Sequence, residues 1–251
     1  MTGVLSSVAV GEGLDDDLSD DLAAASLVLA RRFAAGATLW CVAPRWEPHA
    51  QHVAVEFVHP VIVGKKALPA VALTGPDPVA EVRVSVRPGD VVLAVAGADD
   101  AAVASVMRRA PAWGVTTLWI GSGARPAPGA SDHVLWLDDP DPRLPATGGF
   151  VLLYHLLWEL THVCFEHPGL LVPEPADCTD EVCITCSDEG RLGEVVVPGG
   201  GTNGTAGTAR VRTADGIEQV ATALVEPVTS GDLLIVHAGM AISRVEEGDR
   251  A

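Results

Sequence analysis

The sequence predicts an α/β domain built on a doubly wound parallel sheet, followed by a small all-β barrel. In the longer first part, short Val- and Leu-rich runs alternate with amphipathic segments, and in the last part the strands shorten and turns multiply. Nearly uninterrupted apolar runs are typical of parallel strands that are buried on both faces. Strands that alternate with helices favour a parallel sheet covered by helices on both sides.

The elements of the α/β domain follow from this alternation. The first is an amphipathic helix over Ser19–Ala35, with Ser19 as its N-cap and acidic residues near its positive end. The other helices are predicted at His49–Val58, Asp99–Ala110 and Phe150–His167. The strands are predicted at Thr38–Ala43, Ala70–Thr74, Val91–Ala96, Thr116–Ile120 and Val134–Leu137.

Residues 173–181 interrupt the alternation and are predicted to link a domain at residues 1–172 to a second domain at residues 182–251. The Gly-rich run 198–207 lies between two predicted strands and precedes no helix, so a hairpin loop is favoured over a phosphate cradle. Short strands separated by turns predict a small, partly closed barrel. Its strands are predicted at Glu194–Val197, Ala209–Thr213, Glu218–Ala223 and Leu233–His237.

Composition and charge limit the partners and the cellular location that we expect for this protein. The chain has 33 acidic and 16 basic residues, a net charge of −17. Such a field repels phosphate backbones and anionic bilayers, so neither nucleic acid nor a membrane is expected as a partner. No apolar run reaches the length of a membrane span, and the N-terminus lacks the basic region of a signal peptide. We expect a cytoplasmic protein whose five cysteines are thiols or metal ligands.

Three of the cysteines, Cys178, Cys183 and Cys186, lie close together at the start of the second domain. A redox C-x-x-C normally opens a helix in a βαβ unit, while iron–sulfur clusters and closed zinc sites need a fourth ligand. The second domain has one histidine, His237. A thiolate with one imidazole suits the transient holding of a metal that brings its own ligands. The alternative is a histidine that only packs at a strand end.

Three strings resemble the HypC/HupF family of hydrogenase maturation chaperones over roughly residues 182–247: Cys183–Asp188, Ala221–Glu226 and Gly231–Ser243, which contains GDLLIVHAGMAIS. The resemblance implies a small β-barrel that carries iron with cyanide and carbon monoxide ligands, the Fe(CN)2CO fragment. It implies that the barrel receives this fragment from a HypD-type scaffold protein and delivers it to the large-subunit precursor of a nickel–iron hydrogenase.

The resemblance also implies the residues that hold this iron cargo. In the family a cysteine beside the initiator Met is the essential thiol, and Cys183 takes that place here. It would act with His237, with Cys186 as a candidate second thiolate and Asp188 in support. A thiolate is a soft donor for Fe(II) and can be exchanged for the thiolates of an acceptor protein.

The first domain resembles the sugar isomerase (SIS) family, most closely the phosphoheptose isomerases, in the strings His49–Phe57 (HAQHVAVEF), Leu68–Thr74 and Gly89–Ala94. The resemblance implies aldose–ketose isomerisation of a phosphosugar such as sedoheptulose 7-phosphate, with a carboxylate and a histidine as acid and base. Glu56 falls on the family's glutamate, and His155 or His162 could supply the imidazole. Histidines on helix faces, His52 among them, more often pack or face a partner. The isomerase is therefore the alternative function.

The loops that would hold the sugar phosphate depart from the family pattern. The family has turns rich in Gly and Ser, whose N–H groups and hydroxyls cradle phosphate. Here the corresponding residues are Pro44, Trp46 and Pro48 before the helix, and Asp99 and Asp100 after the third strand. Prolines donate no N–H, and carboxylates repel phosphate. We expect an inactive domain that serves as a scaffold, paired as a homodimer through the apolar helix face at residues 151–160.

Overall fold

The computed structural model describes residues 16–137, 149–172, 190–199 and 207–246. The first two ranges form the α/β domain: α1 (Asp16–Ala34), β1 (Leu39–Val42), α2 (Glu47–Val58), β2 (Ala70–Leu73), α3 (Pro78–Ser85), β3 (Val91–Val95), α4 (Ala101–Arg109), β4 (Thr116–Ser122), β5 (His133–Leu137) and α5 (Gly149–Glu166). The last two ranges form the barrel: β6 (Arg191–Val197), β7 (Thr208–Thr213), β8 (Gly216–Ala221), β9 (Leu233–His237) and β10 (Met240–Arg244).

The α/β domain is a parallel five-stranded sheet in the order β2-β1-β3-β4-β5, with β3 buried along its whole length. Helices α1, α2 and α5 pack on one face of the sheet, and α3, α4 and the short turn Ala110–Trp113 pack on the other. The predicted fold class is therefore confirmed. Strand order reverses between β1 and β3, and the crevice at their carboxyl ends is where folds of this class bind ligands.

Two helices differ from the prediction. Helix α1 already includes Asp16, so Ser19 lies inside it and is not its N-cap. Helix α3 was not predicted, because it is short and begins at Pro78 within a polar, Pro-rich stretch. Its N-terminus has a clear local cause, since the Asp77 carboxylate accepts the N–H of Ala80 at 3.0 Å and Pro78 occupies the first turn.

The second domain is a closed barrel in the order β10-β8-β7-β6-β9, which confirms the predicted small all-β barrel, although the barrel is closed and not partly closed. The closing strand β10 was not predicted; it pairs antiparallel with β9 and meets β8 in parallel at Met240 and Ala221. Ala238 and Gly239 join β9 to β10 with φ values of 48° and 77°, as a type I′ hairpin requires. The predicted linker at residues 173–181 lies outside the described residues, and the proposed domain boundaries stay a prediction.

The barrel docks on the α/β domain through a buried polar network, which we call the seam. Its centre is the Glu194 carboxylate on β6, which is 2% exposed. That carboxylate accepts hydrogen bonds from Arg83 at 2.5 Å, Arg109 at 2.9 Å and the indole N–H of Trp113 at 2.8 Å. On β7, Arg212 lies over the Trp113 ring at 5.7 Å. The two domains are thus joined by buried charges as well as by apolar contact.

No helix in the described parts of the chain combines the length and apolar character needed to cross a membrane.

Candidate functional site

Two neighbouring helices of the α/β domain bring two imidazoles and a carboxylate together. His52 and Glu56 lie one turn apart on α2, with Nε2 of His52 3.1 Å from Oε1 of Glu56. His155 on α5 places its Nε2 3.3 Å from the same carboxylate oxygen and 3.3 Å from Nε2 of His52. Among the described residues, these three groups are the set whose ligand atoms lie within 4.8 Å of one another. We call them the histidine–glutamate cluster.

Buried neighbours fix the orientation of the cluster. The hydroxyl of Tyr154, which is 1% exposed, lies 2.9 Å from Nδ1 of His52 and 3.4 Å from Nδ1 of His49. Burial, and secondly the charge of Glu56, raises the pKa of Tyr154 to about 12, so the phenol is neutral at ordinary pH. The contact at Nδ1 turns Nε2 of His52 towards Glu56 and His155. A buried hydroxyl thus positions the more exposed imidazole.

The arrangement supports two kinds of chemistry. Two imidazoles and one carboxylate form the donor set of a three-ligand zinc site with an open fourth position, and the Tyr154 oxygen would then accept from Nδ1–H of His52. Without a cation, the Glu56 carboxylate and the adjacent imidazoles form a proton-transfer group. Both uses require access, and His52 and His155 retain 38% and 41% of their side-chain exposure.

Tyr154 gives a direct test of this geometry, because it is the single tyrosine of the chain. We expect phenolate absorbance to appear at a pH near 12 rather than near 10. The unfolded chain releases this proton near pH 10 and the folded chain does not. The stabilisation is therefore present below pH 10 and is lost as the pH rises towards 12.

An ultraviolet titration of the native and denatured protein measures both values. In Glu56→Gln the native value should fall part of the way back, because the smaller of its two causes is removed. A native titration near pH 10 would contradict the buried position of the phenol.

The structure places the predicted isomerase residues as follows. Glu56 and His155, proposed as the acid–base pair, are brought together. His162, the other predicted source of the imidazole, is buried instead, with its ring nitrogens 2.9 Å and 3.0 Å from the carbonyl oxygens of Trp158 and Lys66. His52 was expected to pack or face a partner, and its place in the cluster was missed. The His-x-x-x-Glu spacing on α2 is the signal that could have revealed it.

The crevice between β1 and β3 is bridged by the chain itself. Arg45, which follows β1, lies 2.8 Å from the Asp99 carboxylate and 3.4 Å from that of Asp100, both of which follow β3. Asp100 also accepts the N–H groups of Ala102 and Val103 at 3.1 Å, at the start of α4. A carboxylate of the protein therefore occupies the position where this helix N-terminus would bind a ligand anion. This geometry gives a physical reason for the expected loss of phosphosugar binding.

On the barrel, His237 ends β9 immediately before the type I′ turn. Across the turn, the side chains of Met240 and Ile242 on β10 are 43% and 48% exposed, while Ala241 between them is buried. The described chain before β6 begins at Gly190, next to Arg191, which pairs with Val236. His237 thus pairs across the turn with the exposed Met240, and its neighbour Val236 pairs with Arg191, the first residue of β6.

Cys183, Cys186 and Asp188 lie outside the described residues, so the predicted iron ligands other than His237 have no position to report. Chain length alone sets a limit on their reach. Cys186 precedes Gly190 by four residues and Cys183 by seven, which corresponds to spans of at most roughly 14 Å and 25 Å.

A parallel α/β sheet followed by a closed five-stranded barrel defines a two-part protein, and comparison with known families characterises the second part. Residues 195–251 match the model of the HupF/HypC family. The match covers four of the five barrel strands, β7 to β10, and the last three residues of β6, and it includes His237. The family predicted from residues 182–247 is confirmed for this segment. A search of curated proteins finds no match.

Solved structures similar to this chain include two phosphoheptose isomerases. The enzyme from Neisseria gonorrhoeae is 17% identical, with a TM-score of 0.48 over 57% of this chain and 86% of its own. The enzyme from Francisella tularensis is 16% identical, with a TM-score of 0.47 over 59% of this chain and 92% of its own. Phosphoheptose isomerases, the family that residues 49–57 resemble, are thus among the structural neighbours of this chain.

Proposed function

We propose that this protein is a cytoplasmic hydrogenase maturation chaperone. Its barrel holds or docks the Fe(CN)2CO fragment between a HypD-type scaffold and the large-subunit precursor of a nickel–iron hydrogenase. The observation that carries the proposal is the HupF/HypC match at residues 195–251, which includes His237. Cys183 supplies the thiolate and His237 assists, with Cys186 as a candidate second thiolate and Asp188 in support. The iron fragment is cargo and not a resident cofactor.

The surroundings of His237 support this proposal. The imidazole stands at the end of a strand, and it is not part of the buried core of the barrel. The exposed side chains of Met240 and Ile242 provide an apolar surface beside it for a protein client. A thiolate with one imidazole leaves open positions for the ligands that the iron fragment brings and for those of the acceptor.

Infrared spectroscopy tests the carriage of the fragment. The protein is purified anaerobically with its HypD-type partner, as the wild type and as Cys183→Ala. We expect cyanide and carbon monoxide stretching bands in the wild type and their loss in Cys183→Ala. His237→Ala should weaken the bands, and His59→Ala, which alters an exposed histidine at the end of α2, should leave them unchanged. Comparison of Cys186→Ala with Cys183→Ala shows whether one thiolate or two are needed.

Other results would change the proposal in defined ways. Partner binding without infrared bands would leave a docking adaptor that carries no iron. If no HypD-type protein co-purifies, and no band appears, the chaperone proposal fails. Bands of full intensity in Cys183→Ala would assign the iron to other ligands.

The α/β domain fits the role of a scaffold. Much of the apolar face at residues 151–160 packs inside its own domain, where Leu153, Tyr154 and Leu157 are buried. Leu152 on α5 and Val55 on α2 remain 62% and 55% exposed and provide an apolar surface for a second copy. We expect Leu152→Glu to convert a dimer to a monomer in light scattering, while Val84→Glu, at an exposed apolar position on α3, leaves the mass unchanged. A wild type that is monomeric would contradict the scaffold role.

The second candidate function is a phosphosugar isomerase, which is favoured by the 3.3 Å contact between Glu56 and His155. The ion pairs that bridge the β1–β3 crevice argue against it, because a proton-transfer pair needs the phosphate grip that positions the substrate. We expect no turnover of sedoheptulose 7-phosphate in a coupled assay. Turnover that Glu56→Gln abolishes would establish the isomerase instead.

A further inference from the structure

The strands of the barrel are paired unevenly around its circumference. At four of its five junctions, neighbouring strands pair over three to six residues. At the fifth junction β8 and β10 meet in one pair, between Ala221 at the end of β8 and Met240 at the start of β10. The chain reverses at Ala238 and Gly239, so β10 does not extend beside the rest of β8. Within the described residues, Gly216–Val220 therefore pairs with β7 alone.

Two hydrogen bonds identify the backbone groups of β8 that face away from β7. The N–H of Thr222 donates at 2.6 Å to the carbonyl of the residue that precedes β7. The N–H of Ala221 donates at 2.9 Å to the carbonyl of Gly239, on the β10 side. Successive residues of an antiparallel strand direct their N–H and C=O groups alternately towards and away from the partner strand. The groups of Gln219 and Ile217 therefore point to the β10 side, where no strand of the described chain lies beside them.

This side of β8, which we call the open edge, is accessible and unprotected. Ile217 is 54% exposed, and Gln219 is exposed as well. Natural edge strands usually carry a lysine, a proline or a bulge that prevents another strand from adding. The outward side chains of β8, those of Ile217, Gln219 and Ala221, include none of these, and its pairing with β7 has no bulge. Its one charged residue, Glu218, is partly buried and lies 3.0 Å from Arg191.

The open edge leads to His237. Met240 pairs with Ala221 on one side and with His237 on the other, so these three residues lie in a row across β8, β10 and β9. A strand that added beside Ile217 and Gln219 would continue the line of β10 and end at the turn that follows His237. Gln219 precedes Ala221 by two residues, which is about 7 Å along a strand. The open edge and the candidate iron ligand therefore belong to one surface of the barrel.

The chemistry of the open edge specifies an extended polypeptide. Ile217 and Gln219 each offer one N–H donor and one C=O acceptor, in the alternating order that the backbone of another strand matches. The exposed side chain of Ile217 provides an apolar contact for a side chain of the added strand, where alternate residues share a face. Backbone pairing would supply affinity, and the contact with Ile217 would favour an apolar residue opposite it.

We propose that an extended segment of a partner protein adds as a strand to the open edge of β8 and is thereby directed to His237. The identity of the partner rests on the proposed function: it is a protein that exchanges the iron fragment with the barrel, either the HypD-type scaffold or the large-subunit precursor. The pairing itself follows from the backbone groups of Ile217 and Gln219 and from their place beside the turn after His237.

Amide hydrogen exchange of the full chain tests the proposal, first alone and then in complex with the HypD-type scaffold and, separately, with the large-subunit precursor. In the free chain the N–H groups of Ile217 and Gln219 should exchange rapidly, as exposed and unpaired groups do. In at least one complex both should slow by about tenfold or more, because each N–H then donates to the added strand. Slow exchange already in the free chain would show that the open edge is covered without a partner, and it would overturn the proposal.

Two variants and a matched control measure the effect on binding by calorimetric titration with the partner. Gln219→Pro removes an N–H of the open edge without removing a bond to β7, and Ile217→Lys adds the kind of charge that keeps strands from adding. Each should weaken binding by about tenfold or more, the loss expected for one hydrogen bond and an obstructed strand. Val197→Lys makes the same change at an exposed apolar position on β6 and should bind as the wild type does.

The outcomes separate this inference from the proposed function. If a complex forms while both N–H groups still exchange rapidly, or if both edge variants bind as tightly as the wild type, the strand addition is overturned and the proposed function stands. If neither partner binds the wild type, the proposed function fails and the strand addition fails with it.

Discussion

Replacing Glu194 with alanine should undock the barrel from the α/β domain and lower the free energy of unfolding by about 3 kcal/mol. The carboxylate is 2% exposed and accepts from Arg83, Arg109 and Trp113. Its removal leaves two guanidinium groups and an indole N–H without their acceptor. Losing the buried acceptor is costly, because the side chains of Arg83 and Arg109, 39% and 20% exposed, are only partly solvated and lose their ion pair.

Urea unfolding and hydrogen exchange measure this effect. Exchange in β6 and in the turn Ala110–Trp113 should accelerate in Glu194→Ala, because these elements meet at the seam. Asp215→Ala is the matched control, since it removes a carboxylate of the barrel that pairs with Arg191 at 2.6 Å while 73% exposed. An exposed pair of this kind contributes less than about 1 kcal/mol. Equal losses in the two variants would show that the seam does not hold the domains together.

Zinc should bind to the histidine–glutamate cluster and stabilise the protein by about 2.7 kcal/mol when its free concentration is a hundred times the dissociation constant. His52, Glu56 and His155 offer two imidazole nitrogens and a carboxylate oxygen within 4.8 Å of one another. Their partial exposure leaves an open position for water or for a further ligand. The buried Tyr154 hydroxyl holds His52 in place and reduces the cost of ordering it.

Thermal unfolding with and without zinc tests this expectation in a parent protein without an affinity tag. The parent carries alanine at Cys178, Cys183 and Cys186, so that thiols do not compete for the ion. His52→Ala and His155→Ala should each abolish most of the stabilisation, and His59→Ala should retain it. If zinc stabilises the His52→Ala and His155→Ala variants as strongly as the parent, the ion binds elsewhere.

The sequence alone predicted those helices and strands that have a clear pattern of apolar residues along the chain. The buried runs at Val91–Ala96 and Thr116–Ile120 indicated strands β3 and β4, because a strand buried on both faces is apolar along its length. Strand β9 was predicted with its observed bounds, Leu233–His237. Helix α3 and strand β10 were missed, because a short Pro-led helix and an alternating strand after a turn carry weak local signals.

For the candidate sites too, the sequence could name some of the residues, whereas their contacts were seen only in the structure. Glu56 could be named from the resemblance of residues 49–57 to a known family, and His155 was one of two histidines proposed on the last helix. Their 3.3 Å contact depends on how α2 packs against α5. His52 joins the cluster through the same packing. Its four-residue spacing from Glu56 could have been recognised in the sequence, because residues four apart lie on the same face of a helix. The interpretation of Cys183 and Cys186 rests on the sequence, since both lie outside the described residues.

The amino-acid sequence by itself determined the alternation of helices and strands, the acidic charge and the HupF/HypC-like string Gly231–Ser243 that contains His237, because each can be recognised without the tertiary structure. The folded chain was needed to show that Glu194 binds Arg83 and Trp113 and that the open edge of β8 leads to His237. Glu194 lies 81 residues from Trp113 and 111 residues from Arg83 along the chain. Contacts over such separations depend on how whole domains pack, and no local pattern of residue types encodes that packing.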